Sequence, residues 1–582
     1  MAARVRVVEL RVLEGPNLYF PRPAVKLTLA VPGLLVANEA RASAIGRKVR
    51  LPKSVAPGGP RTEQRRRFAT RLAAQVLRSV AHAAGSRLAV RGRPGHEPDE
   101  VVVAFPWRRR DSAEALGWEA AEALRSLLAG RRGFAELRDA AAQRVRDVPP
   151  GPPPSVPSPD VPVVMVTGTN GKTTTVRLLA HLVAAAGRKV AYTSTDGVYV
   201  GTEMVEEGDY SGPAGAARAI AEPVDAVILE VARGGILLKG MGSAHNDVAV
   251  VTNVSADHLG LHGVFSLDQL AEVKASITRI TKPDGWFVLN ADDPRVLDMR
   301  HRARGRPFPF SLDPDHPAIR SALTEGGRGL APLDGSLVLM QPGTRLRPLL
   351  PVEDVPVTLA GISSQHTQNA MAAAAAGLAI GLSVEVVAEG LRTFVLDPER
   401  NPGRANLFEL DERVLVIDYA HNEAGVAGLV EICRGLRRPG GDVWIAVGSA
   451  GDRTDEVMHG LGYEAARGAD HVAVVELLRY LRGRDRREVV ERLRAGAVDG
   501  GARDVPDFPE EIEGLLWMLE RSVPGDVLGI TALGQRPEIF ELLRERGATR
   551  VGPDRCRELA RRARAATPTT RPGRRGGGGS AR

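Results

Sequence analysis

The sequence predicts a multidomain α/β protein. A P-loop central domain on a mainly parallel sheet is followed by a second, Rossmann-like α/β domain and preceded by a small α/β domain. Three observations carry this expectation. The chain has 582 residues, too many for one hydrophobic core and enough for three or four domains of ordinary size. Short apolar runs alternate with helical patterns along most of it, as in strands that feed the helices of a parallel sheet. A proline-rich stretch over 149–162, PPGPPPSVPSPDVP, reads as a stiff extended linker between a first domain, 1–148, and the rest.

The elements follow in order. The start, MAARVRVVELRVLEG, alternates charged and apolar residues and reads as a strand rather than a secretory leader. Val101 to Phe105 is strand-like and Ala113 to Leu128 helical. After the linker, VPVVMV is a buried-strand pattern, GTNGK a loop, and TTTVRLLAHLVAAAG a helix that ends at Gly187. Strands are expected at Asp225 to Glu230, Asp247 to Thr252 and Gly285 to Leu289, which completes a central domain over 163–402. A second α/β domain, 403–553, starts near Gly403 with strands at Val414 to Ile417 and Val443 to Val447.

Composition excludes several classes. With only Cys433 and Cys556 there is neither a disulfide framework nor a four-cysteine zinc site within one chain, and a reducing, cytoplasmic compartment is expected. The longest small and apolar stretch, Ala370 to Leu382, is too short for a bilayer, so no membrane segment is expected. The net charge of +8 suggests a nucleic-acid binder until it is located. Nine arginines from Arg555 to Arg582 stand against the single acid Glu558, which accounts for the whole +8. The body is neutral, nucleic acid is not the expected partner, and 554–582 reads as a basic, largely disordered tail, with order lost after about Ala566.

The chemistry concentrates in Gly168-Thr169-Asn170-Gly171-Lys172-Thr173-Thr174. Its glycines let backbone N–H groups approach phosphate oxygens, its lysine opens a helix, and the Thr173 hydroxyl is suited to Mg²⁺. Val166 stands where the full P-loop pattern has its first glycine. Glu230 ends an apolar strand, so its carboxylate projects from the sheet edge toward the loop, as a Mg²⁺ ligand or a partner for Arg233. Lys274 is one of eight lysines against 70 arginines, which points to amine chemistry rather than charge alone. Ser266 and Gln269 form a capping box for its helix, and Lys274 follows Leu270 by four on the apolar face, where burial depresses the pKa. A lysine snorkelling at the core's edge is the competing reading.

The shortened loop resembles that of the Mur ligase family, and further motifs arrive in that family's order. They are Leu229-Glu-Val-Ala-Arg-Gly-Gly235, Thr252-Asn-Val-Ser-Ala-Asp-His258, Lys274, Leu289-Asn-Ala-Asp-Asp-Pro294, Gly403-Arg404 and Asp418-Tyr-Ala-His-Asn422. Within the family the likeness is to the Mur-like portion of cyanophycin synthetases, through Thr195-Asp-Gly197, Gly208-Asp209, Ser211-Gly-Pro213, Gly451-Asp-Arg453 and Arg482-Gly-Arg484. Glu14-Gly-Pro-Asn17 resembles their amino-terminal domain. Those enzymes carry an ATP-grasp domain between the two, where this chain has only the proline linker.

The resemblance implies an ATP-dependent ligase that forms an amide through an acyl phosphate, with two Mg²⁺ ions. Lys172, Glu230, His258 and Lys274 would be catalytic, and Thr173, Glu230 and His258 would bind metal. CO₂ would modify Lys274 as a carbamate that helps hold the second ion. Asn290 would meet the nucleotide base, and Arg404 and Asp418 the phosphates and ribose. Asp209, Arg233, His421, Asn422, Asp452 and Arg453 would bind amino-acid and peptide or polymer substrates. The implied reaction attaches an amino acid such as arginine to a β-aspartyl or similar peptide carboxylate, with a separate ATP-grasp partner for the missing half. Folylpolyglutamate synthases, peptidoglycan-precursor ligases, a P-loop kinase or NTPase and a non-catalytic nucleotide-binding homologue are the alternatives.

Overall fold

A computed structural model describes residues 5–130, 132–257 and 259–565. The chain divides into two compact units. The first holds 1–331, 338–347 and 371–387, and the second 332–337, 348–370 and 388–582.

The first unit opens with an antiparallel sheet of strands Arg6–Leu13 (β1), Ala24–Ala30 (β2), Arg91–Pro94 (β3) and Glu100–Pro106 (β4), in the order β1-β2-β4-β3. Its two faces differ. Val25, Leu27, Leu29, Val101, Val103 and Phe105 pack against the helices Glu63–Ala83 and Arg110–Ala129 in one core. On the other face Leu13, Ala24, Val102 and Ala104 join a second core, shared with Met165, Leu229, Ile236 and Leu289 from beyond the proline-rich stretch. A domain boundary is expected in that stretch, yet both sides of it belong to one unit because the sheet buries apolar side chains on both faces. The stretch has no helix or strand of its own and is tied down where Arg110 N donates to Pro152 O at 3.0 Å and Ala244 N to Pro157 O at 2.9 Å.

The large sheet is built around Val163–Thr167 (β5) and Ala226–Glu230 (β9), both buried at every residue. With Val190–Thr193 (β6), Gly197–Val200 (β7), Glu203–Glu207 (β8), Asn246–Val251 (β10), Thr281–Asn290 (β11) and Arg306–Phe310 (β12), the order is β12-β11-β10-β5-β9-β6-β7-β8. The pairs from β12 to β6 are parallel and those at the β7–β8 edge antiparallel. Strands covered on both faces carry continuous apolar runs instead of alternation, which is why VVMV and AVIL were readable in the sequence. The carboxyl ends of β5, β9, β10 and β11 deliver Gly168, Glu230, Thr252 and Asn290 to one sheet edge, where α/β ligands bind.

In the second unit, Asn406–Leu410, Arg413–Asp418, Val443–Val447, His471–Val475, Asp507–Phe508, Val527–Thr531 and Thr549–Arg550 form a seven-stranded sheet with a parallel centre. The expected tail boundary at 554 falls inside a helix, Pro553–Ala565. Cys556, Leu559 and Ala560 give it a buried stripe at helical spacing, and Arg555 meets Glu409 through both carboxylate oxygens, at 2.9 and 2.6 Å. The expected disorder beyond it, 566–582, lies outside the described residues.

Glu14-Gly-Pro-Asn17 explains how the chain after β1 meets the segment 239–241. Asn17 accepts from Tyr19 N and Phe20 N at 2.9 and 3.0 Å and donates to the Gly15 and Arg22 carbonyls, which folds the chain back. Glu14 N donates to Lys239 O at 2.8 Å and Met241 N to Pro16 O at 2.7 Å. A Cβ on Gly15 would lie 1.8 Å from the Met241 carbonyl oxygen, a contact only backbone movement relieves. Gly15→Ala is therefore expected to cost about 1–3 kcal/mol, the usual penalty of overpacking. A thermal melt should show a transition several degrees lower, and an unchanged melt would mean that this backbone contact is not tight.

Candidate active site

The phosphate loop is a strand-to-helix turn whose shape is fixed from outside. Gly168 has φ +156° and Gly171 φ +84°, the latter at the N-cap of the helix Lys172–Ala185. A side chain on Gly168 would strike the Thr252 hydroxyl at 1.8 Å. The loop after β10 does the holding. Thr252 Oγ1 donates to Asn170 O at 2.6 Å, Asn170 N to Asn253 Oδ1 at 2.8 Å, and Thr169 Oγ1 to Ser255 O at 3.1 Å while accepting from Ser255 N. Lys172 Nζ donates to Thr169 O at 2.8 Å. Thr174 is buried at the helix start.

Glu230 is 2% exposed at the end of β9, and its Oε2 accepts from Thr173 Oγ1 at 2.9 Å. Two hard oxygen donors side by side at a sheet edge fit Mg²⁺, which takes one or two protein carboxylates and draws its remaining ligands from water and phosphate. His258 lies outside the described residues, and among the described residues no group of three or more His, Cys, Asp or Glu side chains is arranged for a metal.

Lys274 ends the helix Leu267–Lys274, whose start forms half of the expected capping box, the Gln269 side chain bonding one residue before the N-cap instead of at it. Ser266 accepts from Gln269 N at 3.2 Å and Gln269 Oε1 accepts from Phe265 N at 2.7 Å. The lysine is 3% exposed and donates to Gly168 O at 2.6 Å, so it does not snorkel. Burial, then the charges of Lys172 and Arg233, hold its ammonium well below the usual lysine value, against the pull of Asp257 and Glu230. Asp257 was quoted within a motif but given no role by sequence reasoning.

Three expected ligand residues carry structural bonds. Asn290 is 2% exposed, donates to Thr252 O at 2.9 Å and accepts from Asp292 N, which is turn chemistry. Asp209 accepts from the Ser211 amide and hydroxyl, and Ser211 O in turn accepts from Ala232 N beside Glu230. Arg233 begins the short helix Arg233–Leu238 and reaches Leu261 O at 3.5 Å.

The second unit gathers its own group. Arg404 stacks on Tyr419, 4.4 Å from the ring centroid. Asp418 ends its strand and accepts from Ala405 N at 2.8 Å, while His421 lies edge-on to Tyr419. Asn422 is fully buried as the N-cap of Glu423–Leu436. Asp452 takes Arg482 at 2.6 Å, Arg453 lies beside it, and Arg484 donates to Arg453 O at 2.9 Å, which stitches two loops together. Sequence reasoning missed His366, buried beside Arg404 and pushed down to about 4 by burial. It also missed Glu511, whose buried carboxylate accepts from the amides of Leu533, Gly534 and Gln535. Neither lies in a recognisable motif.

Residues 166–377 match the Mur ligase middle domain and residues 403–533 the Mur ligase, glutamate ligase domain. The cyanophycin synthetase of Geminocystis herdmanii is 38% identical over 381 residues, 63% of this chain and 43% of that protein. The UDP-N-acetylmuramoyl-L-alanyl-D-glutamate--2,6-diaminopimelate ligase of Alkalilimnicola ehrlichii is 29% identical over 391 residues, 65% of this chain and 72% of that protein. E. coli FolC in complex with DHPP and ADP aligns at a TM-score of 0.49 and 21% identity, over 67% of this chain and 90% of that one. The chain spans less than half the length of the first of these relatives. Among the described residues no helix is long and apolar enough to cross a membrane.

Burial raises the Asp418 carboxyl from 3.8 to about 6, against the opposing influence of Arg404, the Ala405 and Ala420 amides and His421. Its folded form keeps a proton that the unfolded chain releases, so the penalty of charging it appears as pH rises from about 4 to about 6 and is complete above that. Asp418→Asn removes the penalty. The stability of the variant relative to wild type is expected to grow across that window by about 1–3 kcal/mol, at roughly 1.4 kcal/mol per unit. Melts at pH 4 and pH 7 check it, and an equal difference at both would refute it.

Proposed function

The chain belongs to the Mur ligase family, and from that premise we propose an ATP-dependent, ADP-forming ligase that joins a carboxylate to an amine through an acyl phosphate. The observation that carries the reading is the convergence of a phosphate loop, the Thr173–Glu230 oxygen pair and a buried Lys274 on one sheet edge. A β-aspartyl or similar peptide carboxylate is the acceptor and an amino acid such as arginine the amine, which the likeness to cyanophycin synthetase supports. A separate ATP-grasp partner then supplies the backbone-extending half. One specific observation favours a second reading, a peptidoglycan-precursor ligase: the chain covers 72% of the A. ehrlichii ligase against 43% of the G. herdmanii synthetase.

In the proposed reaction the substrate carboxylate attacks the γ-phosphorus of ATP in line and ADP leaves. Loop N–H groups and Lys172 bear on the phosphates. Thr173 and Glu230, with His258 in the family's pattern, would hold Mg²⁺, which when bound would supply positive charge for the transferring group. In the family's pattern Asn290 would serve the base, and Arg404 and Asp418 the phosphates and ribose. The amine, held with the help of His421, Asn422, Asp452 and Arg453, then attacks the acyl carbon, loses a proton and expels phosphate. Asp209 and Arg233 serve the acceptor. Water must be kept from the acyl phosphate throughout.

The test is ADP release by purified protein across pairs of acidic peptides and amino acids, with mass spectrometry of the product. ADP formation should require both partners, and Lys172→Ala and Lys172→Arg should each lose more than about a hundredfold, because a guanidinium does not replace a point charge in a tight loop. ADP release needing no amine would instead mark an NTPase, and full activity of either variant would remove the phosphate-loop assignment.

Lys274 is assigned a carbamate: its neutral amine adds to CO₂, and a proton is released, leaving an anionic oxygen ligand. Wild-type protein in ¹³C-bicarbonate should show a carbamate carbon signal that Lys274→Ala lacks. The variant should keep its melting transition, lose activity, and recover part of it with acetate. Absence of the signal, together with wild-type activity in CO₂-depleted buffer, would leave Lys274 purely structural.

A further inference from the structure

A gap on the large sheet has no use in the reaction described so far. It lies between the helical segment 294–302 and the helix Pro317–Thr324 and has a volume of about 230 Å³. Its floor is Phe287 and Leu289 of β11, paired with Pro307 and Pro309 of β12. Side chains alternate along a strand, so this floor and Asn290, the residue that the family's pattern gives to the base, lie on opposite faces of β11. The gap has room for about eight waters, the scale of one amino acid and less than a nucleotide fills.

Two features of the lining run against the stability of the fold and point to an occupant. The first is the floor. β12 has a neighbour on each side, where proline is disfavoured because it removes a ladder donor. Pro307 and Pro309 remove two of them on the side where Pro307 O accepts from Arg328 N. What they supply is a pair of flat apolar rings facing the gap, while Phe308 and Phe310 are fully buried on the other face. The second is Glu325. It caps the carboxyl end of Pro317–Thr324, where the helix dipole disfavours an acid. Its carboxylate accepts from Ser321 Oγ at 2.8 Å and pairs with no cation among the described residues. Arg300 lines the opposite wall, and it has no acidic partner among the described residues either. An apolar floor between an unpaired cation and an unpaired anion is complementary to a zwitterion with an apolar side chain. The carboxylate meets Arg300, the ammonium meets Glu325, and the side chain lies on the rings.

The gap is connected to the phosphate loop. The segment 294–302 is capped by Asp293, whose other carboxylate oxygen accepts from Val254 N at 2.6 Å. Val254 stands between Asn253 and Ser255, both of which hold the phosphate loop in shape. A ligand that fixes Leu297 and Arg300 orders the same chain of contacts in advance, so a nucleotide has less ordering left to do. We propose that this gap is a regulatory site for one free amino acid with a large apolar side chain, and that its occupation strengthens nucleotide binding at the phosphate loop. The site goes beyond the ligase reading and does not depend on it.

Calorimetric titration of the full chain with L-phenylalanine tests it, beside phenethylamine and 3-phenylpropionate, which each lack one of the two charges. Wild type is compared with Arg300→Gln and Glu325→Gln, both at exposed positions where the melt should not change. Phenylalanine should bind wild type, and each variant at least about tenfold more weakly. Arg300→Gln should weaken phenylpropionate and spare phenethylamine, and Glu325→Gln should do the reverse, a pattern that binding at the reaction site does not produce. Saturating phenylalanine should raise wild-type affinity for MgADP about fivefold or more, and MgADP should raise affinity for phenylalanine by the same factor. The proposal is overturned if phenylalanine does not bind, if both variants bind it as wild type does, or if affinity for MgADP does not rise. None of these readings needs turnover, so a failure of the ligase reading, seen in ADP release, stays a separate result.

Discussion

Five residues, Gly168 to Lys172, must hold a backbone shape that a free chain would leave, with φ values at Gly168 and Gly171 that side chains disfavour. That shape is imposed by neighbours, not by the loop itself. Thr252, Asn253 and Ser255 supply hydrogen bonds from the next strand's loop, and Lys274 fixes the first carbonyl from a buried helix end. A loop set in advance spends no reaction energy on reorganisation, the condition under which N–H dipoles and cations act most strongly on a transferring phosphoryl group. Glu230 belongs to the same constraint, since β9 pairs with β5 and both end beside the loop.

The position of Lys274 follows from this. A charged lysine with so little exposure would demand a carboxylate as its direct partner, yet among the described residues its hydrogen bond is to a carbonyl oxygen, and Asp257 and Glu230 act on it without accepting that bond. Burial instead favours the neutral amine. That amine serves the loop as a donor and keeps the reactivity that arginine, charged at all relevant pH, lacks. This gives a physical reason for a lysine here in a chain with 70 arginines.

What could be read from the sequence was what depends on nearby residues. Buried parallel strands are continuous apolar runs, so VVMV and AVIL located β5 and β9, and Ser266 with Gln269 located the start of the Lys274 helix. The shared core was not readable. Leu13, Ala24, Val102 and Ala104 look like the weak face of a small sheet until Met165 and Leu229 are known to lie against them. Proline density marked a linker, while burial, which no linker composition encodes, joined its two sides. The tail boundary at 554 was misplaced for a similar reason: Arg555, which looks solvent-seeking in sequence, is matched by Glu409 far upstream, and Cys556, Leu559 and Ala560 bury one side of the helix. Glu511 and His366 act through partners that only the fold supplies.

The central claim is that a carboxylate oxygen becomes part of the phosphate that is released. The direct measurement uses an acidic peptide acceptor labelled with ¹⁸O in its carboxylates, together with ATP, Mg²⁺ and the amine, followed by mass analysis of the inorganic phosphate. The account predicts one ¹⁸O atom in each phosphate formed alongside an amide. Phosphate without label, released in step with amide formation, would contradict it.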